Sequence, residues 1–101
     1  MTQAADDTIA VRDNRELHRY EVTVDGALAG IVTYRLNEPE AAITLVHTEV
    51  DRAFRGRGLA DRLARHALDD ARARGLQVRP DCPFVARFIR AHPEYQDLVA
   101  G

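Results

Sequence analysis

The hydrophobic period of this chain changes once, and that change limits the folds open to it. Up to residue 50 the apolar side chains alternate or form short β-branched runs. From Leu59 they fall at 59, 60, 63, 64, 67, 68 and 71. The first pattern is that of strands and the second that of an amphipathic helix. A block of strands followed by a helix whose apolar stripe must be buried predicts a sheet covered by helix, a mixed α/β domain. At 101 residues the chain is expected to form a single domain over residues 1–101.

The elements can be placed from local signals. Residues 8–13 read as a short first strand. "HRYEVTVDG" puts Tyr20, Val22 and Val24 on one face, and Asp25-Gly26 is the strongest hairpin signal in the sequence. "LAGIVTYRL" is the return strand, "NEPE" a polar loop, and "AAITLVHTEV", residues 41–50, an apolar central strand. The helix that opens at Leu59 has Gly75 positioned to end it. "LQVRP" follows as a short strand, and "PFVARFIRAH" as a second helix with Pro83 in its first turn. Pro93 is expected to stop that helix. The order is β-β-β-β-α-β-α: an antiparallel N-terminal meander, then a right-handed parallel crossover spanning 43–80. On the helix, Asp61/Arg65 and Asp70/Arg74 are acid-first i,i+4 pairs. Asp61, Arg62, Arg65, Asp69 and Arg72, together with His66, are expected to form a solvated face.

Charge is distributed unevenly. Residues 1–51 carry ten acids against four arginines, and residues 52–101 carry six acids against ten arginines. The second half is therefore the one expected to meet an anion. The overall charge of −2 and the six aromatics, with Phe54 alone between Arg52 and Arg74, argue against a general nucleic-acid binder. No apolar run approaches the ~20 residues that span a bilayer. The N-terminal residues do not resemble an export signal, and Cys82 is the only cysteine. A reducing cytoplasm is the expected compartment. The histidines and Cys82 have no metal-ligand spacing, so no metal is expected. Nothing in the sequence fixes the oligomeric state, monomer or weak homodimer.

The most informative stretch joins the two halves, "VDRAFRGRGLADR". A loop with Gly56 and Gly58 leaves a buried strand and opens a helix. The first turn of a helix has about four N–H groups without intrahelical partners, and its dipole favours negative charge. Glycines let consecutive N–H groups converge on a phosphate, and Arg52, Arg55 and Arg57 add cationic donors. The physics points to a phosphate or pyrophosphate. The loop lacks the Gly-Lys-Ser/Thr of a Walker loop and the third glycine of a dinucleotide fingerprint. A tight turn with a solvated arginine fringe is the plainer alternative.

"RGRGLA", Arg55–Ala60, resembles the Arg/Gln-x-x-Gly-x-Gly/Ala signature of the GNAT superfamily of acyl-CoA-dependent N-acetyltransferases. With "HTEV", "PDCPFV" and "HPEYQDLV" in order, residues 8–99 look like its very small, single-domain branch, which lacks the N-terminal helices that build the acceptor site in larger members. The resemblance implies an acetyl-CoA cosubstrate. Backbone amides of Arg55, Gly56, Arg57, Gly58, Leu59 and Ala60 would hold its pyrophosphate. The end of the preceding strand, Thr48 to Val50, would pair with the pantetheine, provided that the strand near Val78 splays away. It also implies that Cys82 is an acyl-accepting or substrate-facing residue, and that His47 matches a histidine of the small branch. Glu49 falls where some larger members place a catalytic glutamate. His47 and Glu49 lie two apart, so on a strand they share a face. Acetylating an amine requires removing its proton, and either residue could act as base. Direct transfer and a two-step route through Cys82 both follow. The function expected is an acetyl-CoA-dependent N-acetyltransferase acting on an amine, small or macromolecular. The rival is a CoA-binding sensor or interaction module with little catalysis.

Overall fold

The computed structural model describes residues 8–99. Five strands form one sheet in sequential order: β1 (Ile9–Asn14), β2 (Arg19–Val24), β3 (Ala27–Asn37), β4 (Ala42–Val50) and β5 (Gln77–Pro80). The first four are antiparallel and β5 runs parallel to β4. Helix α1 (Leu59–Ala73) makes the crossover, and α2 (Pro83–Ala91) follows β5. The expected order and the parallel crossover are both present. Asp25 and Gly26 adopt φ of 49° and 86°, the left-handed pair that a two-residue hairpin needs.

One face of the sheet is buried under the helices. Tyr20, Val22, Val32, Tyr34, Ile43 and Leu45 meet Leu63, Ala64, Ala67, Leu68 and Ala71 of α1 in a single cluster. The alanines favour helix and let it lie close to the sheet, while Leu63 and Leu68 fill the space beside them. Each fully buried leucine contributes about 1.5–3 kcal/mol through removal from water. The helix ends where Gly75 takes φ 70°. Gly75 N–H donates to Arg72 O (3.2 Å) and Leu76 N–H to Ala71 O (2.9 Å), a Schellman cap.

A polar cluster pins the far end of α1 to the meander. The Tyr20 hydroxyl donates to Asp70 (2.6 Å), and the Tyr34 hydroxyl donates to Asp13 (2.6 Å). Arg74 lies 3.3 Å from Asp70 and 3.7 Å from Asp13. Burial, then the carboxylate acceptor, pushes the Tyr34 hydroxyl up to about 12. Both rings stay neutral donors.

The opposite face of the sheet is covered by no helix among the described residues. It nevertheless holds Glu21, with a side chain 8% exposed. Arg12 (3.1 Å), Asn14 (2.9 Å) and Arg19 (2.9 Å) close over its carboxylate. The cover is a thin layer of polar side chains rather than deep burial, so desolvation is outweighed. The Asn14 hydrogen bond first, with the two guanidiniums, holds Glu21 below the usual carboxylate range. A depressed carboxylate stabilises the fold above its unfolded pKa and loses that contribution as pH falls through the folded one. We therefore expect Glu21→Gln to cost about 1 kcal/mol at pH 7, since Arg12 is mostly solvated. The difference from wild type should shrink as pH falls below the usual carboxylate range in paired urea titrations.

Candidate functional site

The site is built where β4 loses its neighbour. β5 pairs with β4 from Ala42 to Leu45 only, and Cys82 N–H then donates to Leu45 O (2.9 Å). Beyond Leu45 no described strand pairs with β4 on that side. On the other side, His47 pairs with Thr33 and Glu49 with Ile31, and Asp51 N–H reaches Ala29 O (2.7 Å). Backbone groups alternate in direction along a strand. Those of Thr48 and Val50 therefore face the slot opened by the divergence of β5. The Val50 carbonyl accepts from Arg55 Nε (3.3 Å).

The slot leads into the glycine loop. Asp51 accepts from Ala53 N–H (2.8 Å) and starts a 3₁₀ turn, Arg52–Phe54, which sets the half-buried Phe54 ring under the Arg57 guanidinium at 5.5 Å. Gly56 and Gly58 take φ of 83° and 74°. Gly58 is the residue before α1, and no side chain caps the helix there. A cavity of about 190 Å³ is lined by Val50, Phe54, Arg55, Gly56, Gly58, Leu59, Ala60 and Asp61. Open space surrounds both glycines. Uncapped first-turn N–H groups, open approach and nearby guanidiniums fit a diphosphate. Asp61 is the acidic residue of the first turn and the only carboxylate in that lining.

The three candidate catalytic residues fall into two groups. A bulge displaces the β3–β4 register between Thr33 and Tyr34, which leaves Val46 as the extra residue. Leu45 and Thr48 consequently lie on the helix side, while His47 and Glu49 lie on the open face. His47 Nε2 is 3.8 Å from Glu49 Oε1, both exposed. Cys82 is 3% exposed, and its sulfur lies 3.2 Å from Thr48 Oγ1. Cys82 is also the residue before α2, with Ala86 N–H donating to its carbonyl (3.0 Å). The thiol is therefore not in contact with the His47–Glu49 pair. Thr48 enters through its side chain as well as its backbone, which sequence spacing gave no way to see.

Asp61, Arg62, Arg65, Asp69 and Arg72 are exposed, as expected of a solvated α1 face, but three of them also hold the C-terminal segment, and His66 departs from the expectation. Arg72 grips Asp97 with both terminal nitrogens (2.9 and 2.9 Å) and reaches the Glu94 carbonyl (2.7 Å). Asp69 accepts from the Tyr95 hydroxyl (2.7 Å), and Arg65 bonds Tyr95 (3.3 Å) and lies 3.8 Å from Glu94. His66 is half-buried, edge-on to Tyr20 at 5.7 Å. The reason is the C-terminal segment. Pro93 ends α2 but begins a 3₁₀ stretch, Pro93–Leu98, that folds back over α1 and ends in a bridge between Val99 and Val78. His92 stacks on Phe88 (3.9 Å) and bonds its carbonyl (2.7 Å), so His92 and Tyr95 pack this segment. Among the described residues, no group of three or more His, Cys, Asp or Glu side chains is arranged to hold a metal.

A slot beside β4 that opens onto a glycine loop and a helix N-terminus is the architecture of an acetyltransferase of the GCN5-related type, and the chain belongs to that family. The model for GCN5-related N-acetyl-transferase matches residues 19–98. Among curated relatives, Protein NATD1 of Xenopus tropicalis is 30% identical over 91 residues, covering 90% of this chain and 84% of its own. Protein NATD1 of Homo sapiens is 30% identical, covering 89% and 80%. Among solved structures, a GCN5-like protein from Staphylococcus aureus shares the fold at a TM-score of 0.69 and 22% identity, over 91% of this chain and 88% of its own. N-acetylglutamate synthase from Neisseria gonorrhoeae, solved with coenzyme A and N-acetyl-glutamate, is a more distant likeness: TM-score 0.53 and 21% identity, over 69% of this chain and 18% of its own. No helix of the described residues is long and apolar enough to cross a membrane.

Proposed function

We propose that this chain is a one-domain, acetyl-CoA-dependent N-acetyltransferase that works in a reducing cytoplasm. The observation that carries the reading is the unpaired edge of β4 at Thr48 and Val50, which runs straight into an uncapped helix N-terminus. That edge suits the amides of a pantetheine arm. The loop amides from Arg55 to Ala60 suit the pyrophosphate. The coenzyme A found in the Neisseria gonorrhoeae neighbour supports the assignment by analogy of fold alone. Bound there, the cosubstrate supplies an activated acetyl thioester.

The acceptor amine approaches from the open face, where His47 and Glu49 stand. An ammonium gives up a proton to this pair. Its nitrogen then forms the amide bond as the C–S bond breaks. Of the two protons the nitrogen loses, one would end on the leaving thiolate and one in solvent. General-base help of this kind is worth about 10²–10⁴-fold. Thr48 and Cys82 line the helix side of the slot, and their separation from His47 favours direct transfer over an acyl-cysteine route.

Calorimetric titration with CoA, followed by an amine screen with acetyl-CoA, tests the reading. Glu49→Gln should lower kcat about 100-fold with CoA affinity unchanged. Cys82→Ala should keep turnover within a few-fold. An acetyl adduct on the intact chain that disappears in Cys82→Ala would replace direct transfer with the two-step route. CoA binding without turnover on any amine would leave a CoA-binding module.

A further inference from the structure

The pairing registers place side chains on the open face in rows. Arg12, Glu21, Ile31 and Glu49 stand across β1 to β4 in one row, and Asn14, Arg19, Thr33 and His47 in the next. Two walls of opposite charge result. On the β1–β2 side, Arg12 and Arg19 share the single carboxylate of Glu21 and leave one net positive charge. On the β4 side stand Glu49 and Asp51. Between them runs the neutral strip of β3.

A cavity of about 170 Å³ lies in this trough, lined by Arg19, Leu28, Ala29, Gly30, Ile31, Glu49 and Asp51. Leu28 is 46% exposed, a large apolar side chain left in contact with solvent. Arg19 lines the cavity and binds Glu21 through Nε, and its two terminal NH₂ groups have no partner among the described hydrogen bonds. Its side chain is 27% exposed. The cavity thus offers a forked cation at one end, an apolar floor, and two carboxylates at the end nearest the slot.

We propose that this trough binds the acceptor, and that the acceptor is a small zwitterion: a primary amine with a carboxylate several bonds away. The amine sits against Glu49 and Asp51, and the carboxylate meets the free fork of Arg19. That such a molecule is acetylated rests on the transferase reading; that it binds here does not. The walls stand on β2 and β4, whose backbones are about 10 Å apart at two strand spacings. An α-amino acid is too short to bridge them, whereas a chain of four methylenes spans the gap and covers Ile31 and Leu28. A diamine would bring a second cation against Arg19, and an alkylamine would leave Arg19 unused.

Amide chemical shifts of the full chain, titrated with 5-aminopentanoate, pentylamine and 1,5-diaminopentane, test the proposal. The expected result is perturbation of Leu28, Ile31, Glu49 and Asp51, with 5-aminopentanoate at least ~10-fold tighter than either amine. Arg19→Gln should erase that preference without altering pentylamine binding. Arg19→Lys should restore part of it, and the spectra report that each variant is folded. Equal or tighter binding of pentylamine or the diamine, or shifts elsewhere on the chain, overturns the proposal. A parallel CoA titration, read at Gly56 and Gly58, separates the two ideas. CoA binding without zwitterion binding removes this inference alone. Zwitterion binding without CoA binding removes the transferase reading and keeps the trough as a zwitterion site.

Discussion

Gly58→Val should weaken CoA binding by at least about 100-fold, the equivalent of about 2.8 kcal/mol. Gly58 sits at φ 74°, immediately before the first residue of α1. Nothing lies within 4 Å of the position a Cβ would take, so the penalty does not come from collision with a neighbour. It comes from the backbone. A side chain in the left-handed region costs about 1–2 kcal/mol, and a β-branched one is an outlier there. The chain can escape that cost by rotating Gly58 out of the region. The rotation re-aims the N–H groups of residues 58 to 60, which are the groups proposed to hold the diphosphate. Whichever way the cost is met, the free chain is destabilised or the ligand loses its cradle. Thermal melting should fall by roughly 4–8 °C for each kcal/mol retained as strain. Calorimetry separates the two uses of the loop. A lower Tm with CoA affinity unchanged would make the loop a structural turn and nothing more.

The order and kind of elements were legible because each carried a strong local signal. Asp25-Gly26 gave the hairpin, the repeat from Leu59 gave α1, and Gly75 gave its end. The site was legible only in part. "RGRGLA" marked the loop, and two-residue spacing placed His47 and Glu49 together. Which face they occupy was not readable. Strict alternation from Ile43 and Leu45 would carry residues 47 and 49 into the core. One extra residue at Val46 reverses the parity and turns both outward. A bulge is a property of two strands, and no local pattern in "ITLVHTEV" announces it. The α1 arginines are exposed as expected, but the partners of Arg65 and Arg72 were hidden for a related reason. Their partners, Glu94, Tyr95 and Asp97, lie 22 to 30 residues away, so i,i+4 reasoning could not find them. The trough was hidden in the same way, since Arg19 and Glu49 meet one cavity only through the registers of three strands.

The bulge links the fold to the proposed chemistry. It puts His47 and Glu49, the proposed proton acceptors, on the open face and leaves Thr48 beside Cys82 on the helix side. A thioester lying in the slot would have an amine and its base on one side and a packed thiol on the other. In this arrangement the open face would be the acceptor surface, and the charged rows across β1 to β4 would determine what can dock on it.

The close approach of β3 to β4 at Gly30, opposite Val50, supplies the last prediction. Gly30→Ala should destabilise the chain by about 1–3 kcal/mol, the usual cost of overpacking. In a strand, alanine for glycine would ordinarily gain a few tenths to 1 kcal/mol from backbone entropy. Here the added Cβ would sit 2.9 Å from the Glu49 carbonyl oxygen and 3.2 Å from methyls of both Val22 and Val50. The two methyls can yield slightly, but the carbonyl belongs to the β3–β4 ladder. Relief requires β4 to move away at Glu49 and Val50. Those residues contribute the acidic wall of the trough and the edge of the slot. Turnover and CoA affinity should therefore fall together, beyond what the loss of folded protein explains. Urea titration gives the stability term, and activity measured well below the unfolding transition gives the rest. Gly30→Val, with two further methyls, should fail to fold. If Gly30→Ala instead proves stabilising with full activity, the contact is looser than 2.9 Å implies, and β4 is free to shift without harm to the site.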